Sequence, residues 1–331
     1  MVAINRRQFI GSAASLAASA AFPARAAGYR YRLGLSQPGD SPNYIRLKEM
    51  ADRVAADTQG ALSIEIFPES KLGNDSAMIE MVRKGDLELY LGGNVFGPLV
   101  PVTEMPGLPF TFKDPEGVFA ALDGDLGDYI RGELAARGLR AFRYGFDNGF
   151  HQLTTSTKPI RSVADLEGMK IRTPVQKMTV EFFEALGAKP MTFTLNRLYE
   201  VCRDRVVDGQ TDPLAIVVLL KLYEVQTYLS LTHHWWSGFT LVANPAAWSA
   251  LPADMREVVD KHARTAALEQ RKDIANINAG AVELLRSKGM AINETDTSGF
   301  RKPLAAFYTR WKAIYGERAW ALLEARVGPL A

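Results

Sequence analysis

Beyond Pro252, Met255, Val258, Val259, His262, Ala266 and Leu268 open an apolar stripe at helical spacing that runs on to Leu284 and Leu285, across some 30 residues. A helix of that length spans roughly 45 Å at about 1.5 Å per residue, which exceeds one lobe of a small protein. It must bridge two lobes or form their spine. The chain can supply two cores, since 47% of its 331 residues are hydrophobic and 23% charged.

The segments before the stripe alternate in type. Residues 29–36 alternate as a strand, a helix running through Tyr44, Leu47, Met50, Ala51 and Val54 stops at Gly60, and Leu62, Ile64 and Ile66 open a second strand. A helix over 76–84, with caps offered by Asn74, Asp75 and Ser76, and a strand over 87–91 complete a βαβαβ unit. The pattern then repeats. Helices are expected over 129–137, 176–186 and 196–203, strands over 139–145, 169–173, 206–209, 228–232 and 239–243, and an extended piece over 190–194. Residues 213–225 are apolar almost all round, as in a helix sandwiched in a core. After the stripe come a strand over 290–293 and helices over 304–315 and 319–326.

The N-terminus has another texture. Arg6 and Arg7 precede Phe9 and Ile10, a run of small and apolar residues follows from Ser12 to Phe22, and Ala24-Arg25-Ala26 suits cleavage. Residues 1–27 therefore read as an export signal, and RRQFI resembles a twin-arginine (Tat) signal. Past Ala27 no apolar stretch approaches the roughly 20 residues of a spanning helix, so a soluble periplasmic protein is expected. Cys202 is the only cysteine, which forbids an intrachain disulfide, and is expected to be buried and inert.

Most chemistries lack their residues. The chain contains no G-x-S-x-G, P-loop, H-E-x-x-H or C-x-x-C motif, and Gly92, Gly93 and Gly97 do not have dinucleotide-binding spacing. His233 and His234 end an expected strand, where neighbours point to opposite faces, so no metal site is expected of them. Asp123 and Asp125 lie in a glycine-rich loop and read as solvated turn residues. With 39 basic against 37 acidic residues and no basic stripe, nucleic acid is not an expected partner. No cofactor is expected either.

Seven collinear stretches carry a resemblance over about residues 30–320: FPESKLGND from Phe67, PGLPFTFKD from Pro106, NGFHQLTTSTKPI from Asn148, LEGMKIRTP from Leu166, LYEVCRDRVVDGQTDP from Leu198, KLYEVQ from Lys221 and LP-x-D-x-R-E-V-V from Leu251. In them the chain resembles the DctP-type solute receptors of tripartite ATP-independent periplasmic (TRAP) transporters. The resemblance implies a two-lobed α/β periplasmic-binding-protein fold of type II-like form, with mixed sheets, crossing strands and a long helix spanning both lobes. Lobe I is expected over 28–148 plus about 238–277 and lobe II over 149–237 plus about 278–331, with a ligand cleft between them. The implied function is non-enzymatic capture of a small organic acid for TRAP membrane permease subunits, driven by an ion gradient. A monomer is expected.

The family's ligand contacts map onto particular residues. Arg172 matches the arginine that grips the ligand carboxylate, a planar fork suited to that group. His151 stands where many members carry a second arginine, which disfavours ligands with two carboxylates. Asp212 replaces an asparagine; before Pro213 and an apolar helix it also reads as a helix N-cap, and the two roles are compatible. Trp235, Trp236 and Phe96 are candidate flat walls, although aromatics equally fill cores, and Asn94, Ser36 and Leu195 complete the expected site. An aromatic or hydroxy monocarboxylate is thereby favoured. The alternatives are a zwitterion held by Arg172 and Asp212 together, and a periplasmic enzyme that reuses the fold.

Overall fold

The structure, a computed structural model, describes residues 28–93 and 95–330. The export-signal reading and Asn94 lie outside the described residues. The first lobe opens with β1 (Tyr29–Leu35), α1 (Pro42–Asp57), β2 (Leu62–Phe67), α2 (Asp75–Lys84) and β3 (Leu89–Gly92). The strands are parallel in the order β2-β1-β3, as a βαβαβ unit requires. Local chemistry sets the helix limits: Ser41 and Asn74 accept from the backbone N–H groups of Tyr44 and Ala77, and α2 stops at a left-handed Gly85. Helices α3 (Pro115–Leu122) and α4 (Asp125–Ala135) and the short β4 (Arg140–Ala141) follow.

Next comes a strand that the sequence did not reveal, β5 (Phe146–Thr155), which joins the halves. The second lobe contains β6 (Lys170–Thr173), α5 (Lys177–Ala185), β7 (Lys189–Thr192), α6 (Leu198–Arg203), β8 (Gly209–Pro213), α7 (Leu214–Leu219) and β9 (Tyr228–Leu231). β10 (Trp236–Ala243) leads back to the first lobe, followed by α8 (Pro245–Ala250), α9 (Ala253–Ser287), β11 (Ala291–Glu294), α10 (Ala305–Tyr315) and α11 (Glu317–Val327).

β5 begins against β10 (Phe146 opposite Phe239) and ends against β8 and β9, so one hydrogen-bonded path, β2-β1-β3-β10-β5-β8-β6-β7, runs through both lobes. Backbone freedom is concentrated at this crossing. Gly149 has φ +108°, and Gly238 sits at a register shift where a Cβ would approach the Phe146 carbonyl oxygen to 2.5 Å.

α9 is 35 residues long, about 50 Å at the helical rise, and packs on α1, β5 and α7. The buried Gln270 anchors it to the crossing: its Nε2 donates to the Asp147 carbonyl and its Oε1 accepts from the Asp147 N–H, both at 2.7 Å. One core cluster includes Leu33, Leu47, Val54, Leu91 and Leu241 of the first lobe, and another Val201, Cys202, Leu222, Leu229 and Leu285 of the second. The C-terminal helices touch both lobes, α10 against α5 and the turn Pro101–Gly107, α11 against α3 and α4.

The apolar run over 213–225 is not one helix. α7 ends at Leu219, Lys221 turns left-handed at φ 51°, and a 3-10 turn, Leu222–Glu224, follows. Uniform apolarity marked burial correctly and continuity incorrectly.

One buried carboxyl stands apart from the crevice. Glu104, 4% exposed, lies against Gly97, and burial together with the charge of Glu181 pushes its pKa up to about 7. The raised value means stability that is fully present below the unfolded pKa of about 4.5 and lost as pH rises through about 7. Glu104→Gln is expected to stabilise the protein at about pH 8, by as much as roughly 3 kcal/mol, and to change little at about pH 4. Melting curves at the two pH values check this, and equal effects at both would contradict it.

Candidate functional site

Arg172 is central to a crevice between the lobes. It sits on β6, the strand between the parallel β7 and β8, with Met191 and Gln210 as register partners. Being interior in the sheet, it is only 1% exposed, yet it lines a cavity of about 150 Å³. Its Nε and one terminal nitrogen donate to the Phe193 carbonyl at 3.0 and 2.8 Å. The other terminal nitrogen donates to Asp212 Oδ2 at 2.8 Å. The carbonyl fixes the plane of the guanidinium and the carboxylate balances its charge.

This ion pair is costly to bury. Burial lowers the pKa of Arg172, with Asp212 opposing, and raises that of Asp212 to about 6, with Arg172 opposing. Both directions say the same thing: desolvation exceeds the attraction within the pair. Arginine keeps its proton at neutral pH, so Asp212 is the partner that titrates. Asp212 is also not a helix cap, a correction to the sequence reading. It lies within β8, Pro213 occupies the N-cap position of α7, and the Asp212 carboxylate is turned to Arg172.

His151, on β5, also lines the cavity but is no cation. Burial, then the neighbouring His234 and Arg172, hold its pKa well below the ordinary value, so it stays neutral where an exposed imidazole would charge. Its Nδ1 lies 3.1 Å from Thr211 Oγ1 and its Nε2 2.8 Å from Ser237 Oγ, which also accepts from Asn148 Nδ2. Thr211 Oγ1 continues to His234 Nε2 at 2.9 Å, and His234 Nδ1 to Thr232 Oγ1 at 2.7 Å. The result is a buried chain of neutral polar groups behind the guanidinium. His234 belongs to it, whereas His233 turns outward at φ 43°.

Of the other expected site residues, Ser36 and Leu195 line the cavity. Phe96, Trp235 and Trp236 are not in its wall. Phe96 packs on Tyr90 in the first lobe, with ring centroids 6.0 Å apart. Trp235 stands edge-on behind His151 at 4.8 Å, and Trp236 Nε1 donates to Asp147 Oδ1 at 2.8 Å while its ring meets Phe119. The apolar wall is made instead by Val95, Val175 and Phe239, with Gly93 open to the Phe239 ring. Ser237, Phe239 and Asn148 escaped sequence reasoning as site residues. Their signal was the crossing of β5 and β10, which alternation in a polar segment does not disclose.

Cys202 lies buried on α6, and burial pushes its thiol up to about 12, far from a reactive thiolate. Among the described residues there is no group of three metal-ligating side chains, and no helix is long and apolar enough to cross a membrane.

Comparisons with known proteins agree with this architecture. A family model described as bacterial extracellular solute-binding protein, family 7 (DctP) matches residues 33–314. The 2,3-diketo-L-gulonate-binding periplasmic protein YiaO of Escherichia coli is 32% identical over 275 residues, covering 82% of this chain and 84% of that protein. A TRAP periplasmic solute-binding protein from Polaromonas, crystallised with D-erythronate, is 29% identical with a TM-score of 0.83, covering 89% of this chain and 98% of that one. Another from Roseobacter denitrificans, with bound β-D-glucuronate, is 28% identical with a TM-score of 0.84, covering 89% and 99%. A chain with this two-lobed fold, matched over most of its length, belongs to the DctP family of TRAP solute-binding proteins.

Proposed function

We propose that the chain is the periplasmic, non-enzymatic receptor of a TRAP transporter, that it captures a small monocarboxylate, aromatic or hydroxylated, and that it delivers it to membrane permease subunits. The observation that carries the reading is the guanidinium of Arg172, buried at the cavity wall and fixed in plane by Phe193. Three of its five N–H donors are committed, which leaves two, one on each terminal nitrogen, for a carboxylate. Neutral His151 supplies no second cation, which argues against two carboxylates. The similar proteins with bound erythronate and glucuronate carry an acid ligand each, which supports the class and leaves the identity to experiment.

Closure is a population shift driven by contacts that the ligand makes in the closed state alone, with β5 and β10 as the hinge and the lobes divided about Asn148 and Gly238. One observation favours a second reading. Arg172 and Asp212 stand side by side, so a ligand carrying both a carboxylate and an ammonium would satisfy both. A melting screen tests the two readings. Monocarboxylates are expected to raise the midpoint by several degrees, dicarboxylates and zwitterions by little. A response to zwitterions alone would replace the first reading by the second.

A further inference from the structure

The cavity at Arg172, about 150 Å³, is small beside the roughly 300–1,000 Å³ of ordinary ligand pockets. A larger compartment of about 490 Å³ opens next to it, between the first turn of α1, α7 and the middle of α9. Gln37 and Asn148 line both, so the two are compartments of one crevice with walls from each lobe. The larger one is apolar on the α7 and α9 sides through Ile216, Val218, Leu219, Ile274 and Ile277, and Ile45 of α1 faces it with 45% of its surface exposed. Arg46 in its wall is already held bidentately by Asp273 at 2.7 and 2.8 Å, and also by Glu49, so a second carboxylate finds its charge taken.

We infer that the ligand is elongated, with its carboxylate at Arg172 and an apolar body passing Gln37 and Asn148 into the α1–α7–α9 compartment. The inference rests on the acid-receptor reading and specifies the shape of the acid. Each methylene moved from water into an apolar compartment strengthens binding by roughly fourfold. Calorimetric titration of the chain with straight-chain monocarboxylates of about three to ten carbons should therefore show affinity climbing at least tenfold along the series before it levels. Ile45→Glu and Leu219→Glu, at partly exposed positions of the lining, should bring the long acids down to the affinity of the shortest. Affinity that is flat or falling with length, while short acids still bind, would overturn the elongated ligand and spare the acid-receptor reading. Failure of every acid, short or long, would overturn both.

Discussion

Arg172→Met removes the ligand response: no carboxylate that stabilises the wild-type chain should raise the melting midpoint of the variant, and affinity should fall by roughly a thousandfold, as when one partner of a buried charged hydrogen bond is deleted. The substitution has a second effect. Asp212, buried and bonded to the guanidinium at 2.8 Å, would be left without its counter-charge, a loss of order 3–5 kcal/mol at neutral pH that shrinks in acid as the carboxyl protonates. A destabilised protein would confuse the test. The double variant Arg172→Met, Asp212→Asn resolves it, because the orphaned charge is gone: stability should largely return while the ligand response stays absent. Arg172→Lys should be intermediate, since an ammonium keeps the charge but lacks the fork and cannot hold the Phe193 carbonyl in the same plane. Undiminished stabilisation by ligand in the folded double variant would refute the clamp.

Elements whose side chains sort cleanly between core and solvent could be read from the sequence. The stripe from Met255 announced α9, and the alternation of Leu62, Ile64 and Ile66 announced β2, because each has one apolar face. β5 could not be read in this way. Its middle residues, Asn148, Gly149, His151 and Gln152, are polar or small, and polar residues normally mark loops; here they are satisfied inside the crevice by Ser237, Thr211 and the Thr232 N–H. Helix α7 was overextended for the opposite reason, since apolarity records burial without registering a turn at Lys221.

The site divides along the same line. No periodicity picks out Arg172 from other arginines at strand ends; its resemblance to the family motif located it, and its neighbours were then a matter of tertiary placement. Asp212 shows the limit, because Asp before Pro is a sound cap signal that an arginine 40 positions earlier in the chain overrides. Trp235 and Trp236 lie close to the site in sequence, yet the crossing strand turns their rings behind His151 and towards Asp147, away from the cavity.

Asp212→Asn should change the pH dependence of binding more than any other single substitution. Arg172 on β6, Cys202 on α6 and His151 on β5 lie near it, and Asp75 of α2 shares the cavity; Arg172 stays positive, and burial keeps Cys202 and His151 neutral near pH 7. Asp212 changes charge in that range, with its pKa pushed up to about 6 by burial; Asp147, likewise raised to about 6 by burial, lines the larger neighbouring compartment. A plain monocarboxylate arriving beside it raises that value further, so binding takes up a proton. Affinity should then rise as pH falls from about 8 towards 6, by as much as tenfold per unit, and level once the free receptor is already protonated. The asparagine variant carries no such charge, so binding of short acids confined to the Arg172 cavity should lose most of its pH dependence over this interval and be roughly ten- to a hundredfold tighter than wild type at about pH 8. A ligand that donates an ammonium to Asp212 reverses the sign: it needs the ionised carboxylate, weakens as pH falls through 6, and is lost in Asp212→Asn. Titration calorimetry of wild type and variant at three pH values thus separates a receptor that tolerates Asp212 from one that uses it, and wild-type acid binding that ignores pH would remove Asp212 from the ligand's surroundings.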